Sequence, residues 1–243
     1  MKINYQGEEG YFYKYEHAAF TTDSVVFGFD GKELSVLLIQ RKSDTYDGCW
    51  AFPGGFLNMS EDADECARRE LAEETNAVDI SLSQFRMFSA PGRDPRERVV
   101  TMVYIGLVRK GDYDKVLRAD TDAQDVAWFP LDEAMAMSLA FDHNLILVEA
   151  YAELRRRLRY TDLAFHLLDE KFTINDLRNV CEVINNEEYD VRNFHKKITG
   201  ARFIEKTGEQ GEPVHNKRPD LYSFREEAFV EERAAAQKFP FDF

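Results

Sequence analysis

Residues 54–77 read Gly54-Gly55-Phe56-Leu57-Asn58-Met59-Ser60-Glu61-Asp62-Ala63-Asp64-Glu65-Cys66-Ala67-Arg68-Arg69-Glu70-Leu71-Ala72-Glu73-Glu74-Thr75-Asn76-Ala77. Two glycines follow Pro53, a short loop leads to Glu61, and an acidic helix begins. Glu70, Glu73 and Glu74 stand at i, i+3 and i+4, so they share one helix face. At about 100° per residue that face also carries Ala63, Cys66 and Ala67, while Glu65 and Arg68 lie opposite. The three carboxylates therefore occupy the small-residue side that turns toward the rest of the fold. An acidic run is ordinarily a solvated face. Acids on an inward face repel one another unless a cation lies among them or some take a proton. Hard oxygen donors of this kind suit Mg²⁺ or Mn²⁺, which keep waters and bind substrate phosphates.

The stretch resembles the Nudix box, G-x5-E-x7-R-E-U-x-E-E-x-G-U, where U is a bulky apolar residue. Gly55 is the first glycine, Glu61 follows after five residues, and Arg69, Glu70, Leu71, Glu73 and Glu74 fall in place. Asn76 stands where the pattern closes on glycine, and Ala77 where it ends on a bulky residue. Asparagine is the next best residue for a left-handed helix end, so the turn survives. The resemblance implies an α+β fold, the α-β-α Nudix sandwich: a mixed sheet with flanking helices. It also implies that Glu70 and Glu74, with Glu73, Glu61 and the main chain at Gly54, hold Mg²⁺ or Mn²⁺. Glu73, Glu70 and Arg69 form the catalytic group in this reading, Arg69 orienting the acids rather than touching substrate.

The chain has 243 residues, enough for one large or two modest domains, and its hydrophobic fraction of 44% is that of a globular protein. There is no long apolar run and hence no expected membrane span. The residues before Phe20 lack an apolar signal core, and the three cysteines, Cys49, Cys66 and Cys181, show neither zinc spacing nor a disulfide framework. A reducing cytoplasm is the expected setting. A formal net charge of −14 argues against non-specific wrapping of nucleic acid by the whole chain, though not against a local basic surface.

Around the box, an aromatic-rich lead-in precedes a strand over Thr21 to Phe29. Asp30-Gly31 signals a hairpin into a second strand that ends near Arg41. Arg41 lies where Nudix proteins commonly carry a basic residue before the Trp50-Ala51-Phe52-Pro53-Gly54-Gly55 entry. Trp50 reads equally as a core aromatic or a ligand contact. After the box, a strand opens at Phe85. The following loop, Ala90 to Arg98, carries Arg93, Arg96 and Arg98. It reads either as an anion cradle, because guanidinium groups bind phosphate oxygens in pairs, or as a turn held by Arg–Asp and Arg–Glu pairs. The loop is similar to the Gly-Arg-Asp-Pro-Arg loop of Nudix proteins acting on ADP-ribose and of related regulators. On that likeness Arg41, Gly55, Arg93, Arg96 and Arg98 are the expected substrate contacts. A strand over Val99 to Val108 and an acidic surface loop over Gly111 to Asp125 come next. Glu97, Asp120 and Asp122 are equal candidates for a catalytic base. Val126 to Pro130 predicts the last strand, Leu131 to Ser138 a short helix, and Asn144 to Arg159 a longer one. His143 reads as a capping or packing residue. The basic end of the long helix, Arg155 to Arg159, suits its dipole.

Residues 151–243 read as a second unit after a first of 1–150. Helices are predicted over Leu163 to Asp169, from Thr173 to Ile184 with Thr173 as N-cap, and from Tyr189 to Ile198. Strands at Phe203 to Lys206 and Leu221 to Phe224 follow. Three helices and a hairpin describe a winged helix-turn-helix domain. Its recognition helix, Asp190 to Thr199, carries Arg192, Asn193, His195, Lys196 and Lys197, and its wing carries Lys217 and Arg218. These can reach phosphates and base edges of double-stranded DNA. Neighbouring acids, among them Glu187, Glu188 and Glu209, weaken that electrostatic case, and a dimerisation or packing module is the alternative.

Nudix domains fused to winged helices include ADP-ribose pyrophosphatases and metabolite-sensing transcription regulators. Many of the regulators have lost box acids, whereas this chain keeps Glu61, Arg69, Glu70, Glu73 and Glu74. The expectation is therefore an Mg²⁺-dependent hydrolase that splits a nucleoside diphosphate-linked molecule into two phosphate monoesters. ADP-ribose comes first, and NADH is disfavoured because the motif that accompanies it is absent. The alternative is a DNA-binding regulator with a Nudix effector domain. By analogy a homodimer is expected.

Overall fold

The computed structural model describes residues 2–5, 8–11, 14–118, 123–213 and 217–235. Strands β1 (Lys2–Tyr5) and β2 (Glu8–Tyr11) pair antiparallel, a hairpin within what reads in sequence as a lead-in. β3 (Ala19–Phe29) and β4 (Leu34–Arg41) form the hairpin that Asp30-Gly31 predicts. The Asp30 carboxylate accepts the N–H groups of Lys32 and Glu33 at 2.8 and 2.9 Å, and Gly31 supplies a φ of +92°. Next come β5 (Trp50–Ala51), β6 (Gly54–Phe56), α1 (Ala63–Thr75), β7 (Ser83–Phe88) and β8 (Val99–Arg109). The short helix α2 (Lys110–Tyr113), β9 (Ala123–Pro130), α3 (Leu131–Ala136) and α4 (His143–Tyr160) follow. The stretch read as one surface loop, Gly111 to Asp125, thus holds most of α2 and the start of β9.

The seven-stranded sheet runs β5-β4-β3-β8-β7, with β6 on β3 and β9 on β4. β3 and β8 are parallel over their whole length, from Ala19↔Val99 to Phe29↔Arg109, and every other pairing is antiparallel. Both faces are covered, so these strands read as continuous apolar runs rather than as alternation. Val26 and Leu37 pack under α1 with Leu71, Ala77 and Ile80. Val25, Phe27, Val36 and Leu38 pack on the opposite face beneath α3 and α4.

That second core does not stop at the sheet. It continues through Ile146, Leu147, Ala150, Leu154 and Leu158 of α4 into the C-terminal elements. A division drawn after residue 150 falls in the middle of this helix. The C-terminal elements are a 3-10 turn (Leu163–Leu167), α5 (Ile174–Asn185), α6 (Val191–Thr199), β10 (Ile204–Gln210), β11 (Asp220–Phe224) and α7 (Glu226–Ala235). The first predicted helix is thus a single 3-10 turn. Thr173 caps α5 through a reciprocal box with Asp176, as its spacing predicts. Asp190 caps α6 by accepting the Asn193 N–H at 2.9 Å. β10 and β11 pair antiparallel as the wing. α7 is absent from the sequence reading. It closes the domain by laying Phe229 edge-on against Phe203, with ring centroids 5.1 Å apart. Phe165 stacks on Phe224 at 4.0 Å and meets Phe203 edge-on.

Bonds also cross between the two units. Tyr151 Oη donates to the Ile184 carbonyl at 2.9 Å, Asn179 Nδ2 to the Gly31 carbonyl at 2.7 Å, and Arg109 pairs with Asp169 at 2.7 Å. Among the described residues, no helix is long and apolar enough to cross a membrane.

Phe203 is fully buried at the centre of the aromatic cluster. Phe203→Ala is expected to cost about 3–5 kcal/mol, read as a lower denaturant midpoint. Phe203→Leu is expected to cost less, because it leaves a smaller cavity.

Candidate functional site

The site begins where β6 crosses β3. Gly54 lies opposite Asp23, Gly55 opposite Thr22 and Phe56 opposite Thr21. The approach is too close for side chains. A Cβ on Gly54 would sit 2.1 Å from the Thr22 carbonyl, and one on Gly55 would sit 2.3 Å from a Glu70 carboxylate oxygen. The glycine pair thus lets the acidic helix lie against the strand.

α1 starts at an Asp62 cap that forms a reciprocal box with Glu65, and it ends at Asn76 in the left-handed region, φ +59°. Asn76 therefore does the work expected of the glycine it replaces. Between these ends the acids divide. Glu74 is buried, at 8% exposure, and accepts the Gly54 N–H at 2.8 Å. Glu70 is half-buried beside Gly55, whereas the Glu73 side chain is 56% exposed. The expectation that all three face inward is corrected for Glu73, which the helical twist carries to the rim.

A second finding concerns what holds the acids together. The Arg69 guanidinium lies among them. It donates to both oxygens of Glu61 at 2.5 and 2.9 Å, to Glu70 at 2.8 Å and to Glu73 at 3.0 Å. It also donates to the Phe56 carbonyl at 3.3 Å. A resident cation thus compensates three of the four box carboxylates, Glu61, Glu70 and Glu73. The hydrogen bonds from Arg69, then that from the Asn58 N–H, hold the Glu61 carboxyl down at about 2. Burial raises Glu70. Burial also pushes Glu74 up to about 8, opposed by the Gly54 N–H and aided by the neighbouring charge of Glu70.

A cavity of about 490 Å³ opens beside this wall. Its far side carries Asp23, Arg41, Arg93, Arg96, Phe141 and His143. Arg93 is almost wholly buried. Its Nε and one terminal nitrogen donate to the two oxygens of Asp142 at 3.0 and 2.7 Å, and it lies 3.6 Å from Asp23. Arg96 is bound in the same bidentate way to the buried Asp94. Arg98, grouped with these arginines in the sequence analysis, donates to the Ser89 and Val99 carbonyls and does not line the cavity. The arginine loop is therefore a turn held by ion pairs that still delivers Arg93 and Arg96 to the cavity. Arg41 reaches it from the end of β4, its guanidinium tied to Ser43 Oγ and the Thr45 carbonyl. Trp50 packs edge-on against Phe129 and is not part of the cavity lining. Of the candidate bases, Glu97 is exposed and lies off the cavity, while Asp120 and Asp122 fall outside the described residues.

His143 is the packing residue that the sequence predicts, while two acids at or near the cavity, Asp23 and Asp142, escape the sequence reading. His143 is buried, stacks on Phe52 and accepts the Phe52 N–H at Nδ1, 3.0 Å away. Burial lowers its pKa, and because Nδ1 accepts a hydrogen bond, Nε2 carries the ring proton and faces Asp23 at 3.7 Å. Asp23 had one available signal, as the single charged residue of β3, which must find partners when buried. Asp142 had none, because its partner Arg93 lies 49 residues away.

Among the described residues, no three His, Cys, Asp or Glu side chains form a ready-made metal cage. Mg²⁺ does not require one, since it binds through one or two carboxylates together with substrate phosphates and water. Glu70 and Glu74 fit that role. Both are hard oxygen donors at the cavity wall, and burial has made both unwilling anions that a cation would favour.

A family model for the NUDIX domain matches residues 19–151. The chain belongs to the Nudix family. A second model, the NrtR DNA-binding winged helix domain, matches residues 164–224. Beyond the Nudix domain itself, the chain is similar to the ADPR responsive transcriptional repressor NtrR of Acinetobacter baylyi, 30% identical over 92% of this chain and 91% of that protein. It is also similar to the ADP-ribose pyrophosphatase of Methanocaldococcus jannaschii, 36% identical over 55% of this chain and 73% of the relative. Among solved structures, Shewanella oneidensis NrtR complexed with a 27mer DNA superposes with a TM-score of 0.71 at 27% identity, covering 90% of this chain and 98% of that one. The Nudix sandwich followed by a winged helix is thus an architecture shared end to end with regulators.

The raised Glu74 carboxyl links stability to pH. Its folded pKa lies near 8 against 4.5 for the free group, so the folded state holds the proton more tightly. That contribution is complete below about pH 4.5 and is lost as pH rises through about 8. In chelator, Tm is expected to fall between pH 5 and pH 9, and Glu74→Gln is expected to remove roughly 5 °C of that fall. Added Mg²⁺ should restore Tm at high pH in the wild type and not in the variant. Differential scanning fluorimetry across pH reads both.

Proposed function

We propose that this chain is a metabolite-sensing transcription regulator. Its Nudix domain binds an ADP-ribose-like nucleoside diphosphate, and its winged helix binds double-stranded DNA. The observation that carries this reading is the likeness to an ADPR responsive repressor over 92% of the chain, covering both domains. The placement of the basic residues supports it. Arg192, Asn193, Lys196 and Lys197 lie on the outward side of α6, whose Phe194 and Ile198 are buried. Lys217 and Arg218 are exposed beside the wing. In this reading α6 enters a major groove and the wing contacts backbone phosphates, and a homodimer presents two such helices to paired half-sites.

A second reading, hydrolysis of the same ligand, is favoured by one specific observation: the box acids are complete, and Glu70 and Glu74 line the cavity. Mg²⁺ bound there would supply Lewis-acid stabilisation of charge on the phosphates. The chain's own residues do the rest. Glu70 and Glu74 would hold the cation, and Arg69, bonded to Glu61, Glu70 and Glu73, would fix Glu70 while occupying the other two acids. Arg41 steadies the diphosphate. Sensing and hydrolysis are compatible, because a slowly hydrolysed effector still occupies the site.

Two measurements separate these readings. Fluorescence anisotropy with promoter-derived duplexes should show sequence-dependent binding that ADP-ribose changes. Lys196→Ala should weaken binding evenly across sequences and lower the salt slope by about one. Binding that is weak, indifferent to sequence and erased by modest salt would remove the regulator. Release of AMP from ADP-ribose with Mg²⁺, abolished in Glu74→Gln, would establish the hydrolase. No turnover across a panel of nucleoside diphosphate derivatives would leave a pure sensor.

A further inference from the structure

Two aromatic residues beside the cavity adopt backbone conformations that bulky side chains rarely take. Tyr46 has φ +58° and Phe141 has φ +53°. Strain of this kind persists only where the surroundings over-determine it, and it concentrates at ligand sites. The two rings touch, with centroids 4.7 Å apart. The Arg41 guanidinium lies 4.8 Å from the Phe141 centroid.

Arg96 extends this surface. Its guanidinium carbon lies 5.5 Å from the Phe141 centroid and 5.5 Å from that of Phe56. Its charge is already answered. Asp94, 5% exposed, accepts from the Arg96 backbone N–H at 2.9 Å, from Nε at 3.0 Å and from a terminal nitrogen at 2.7 Å. A neutralised guanidinium held through two of its nitrogens is a poor phosphate ligand and a well-fixed flat face. Phe56 is 42% exposed and borders the same cavity, and its carbonyl receives Arg69. The flat surface therefore adjoins the acidic wall directly.

We infer that Phe56, Arg96 and Phe141 form a stacking subsite for the nucleobase of the ligand. Arg41 and the acidic wall are left for the diphosphate. A planar heterocycle gains from aromatic faces through dispersion and from a guanidinium plane through stacking. This assignment rests on the reading of the ligand as a nucleoside diphosphate and goes beyond it by naming which residues read the base.

The test is a ratio. Isothermal titration compares ADP-ribose with ribose 5-diphosphate, which keeps the diphosphate and one ribose but lacks the adenosine, in wild type, Phe56→Ala and Phe56→Trp. Phe56 is exposed, so its replacement leaves the fold intact, and a thermal melt checks this. Phe56→Ala is expected to lower the ratio of the two affinities roughly 5- to 100-fold, and Phe56→Trp to preserve it. The introduced tryptophan should be quenched by ADP-ribose and by AMP but not by ribose 5-diphosphate. Phe141→Leu should lower the ratio in the same direction. An unchanged ratio in both Phe56→Ala and Phe141→Leu, or equal loss for both ligands, would overturn the subsite while leaving the proposed function standing. A wild type that binds neither ligand would overturn both.

Discussion

One guanidinium makes the acidic wall possible. Arg69 gives hydrogen bonds to Glu61, Glu70 and Glu73 at once, and it reaches the Phe56 carbonyl on the neighbouring strand. Like charges this close repel by amounts that grow as water is excluded. A planar cation with five donors is the side chain able to answer three carboxylates from one position. With Arg69 in place, α1 can lie against β6, Gly55 can abut Glu70, and Glu74 can be driven into the wall against the Gly54 N–H. Electrostatic compensation and the close approach of two backbones are thus one arrangement.

A second buried arginine organises the far side of the cavity. Arg93 is held by Asp142, the residue just before α4, and the next residue, His143, holds the Phe52 N–H. The start of α4 is therefore part of the cavity's framework. The helix then runs 18 residues, about 27 Å, with one apolar face inside the core that α5 and α6 share. Tyr151 ties it to the end of α5. The start of α4 thus frames the cavity, while its middle and later turns carry the core onward to α5.

The box itself was legible because every part of it is local. Spacing of three and four residues on a helix sets which acids are neighbours, Asn76 can end the helix in place of glycine, and paired glycines announce a close approach. The winged helix was legible for the same reason, since capping residues and apolar spacing mark α5 and α6. What sequence reading got wrong also has one cause. It placed Glu73 inward and grouped Arg98 with the arginines that line the cavity. Each of these depends on where a long side chain finds its partner, and rotamers do not follow from spacing. α7 went unread because, among its described side chains, Phe229 and Ala228 alone pack on the core, so its pattern carries little periodicity.

By itself the sequence determined the family, the order of the two domains and the identity of the acidic wall, because those rest on contacts between residues near in the chain. Only the tertiary structure decided which charges meet. Asp142 reaches Arg93 across 49 positions, and His143 reaches Phe52 across 91. Such pairings are chosen by burial. A charge removed from water must find a partner within hydrogen-bond reach, and which partner lies within reach is known only once the strands and helices have packed.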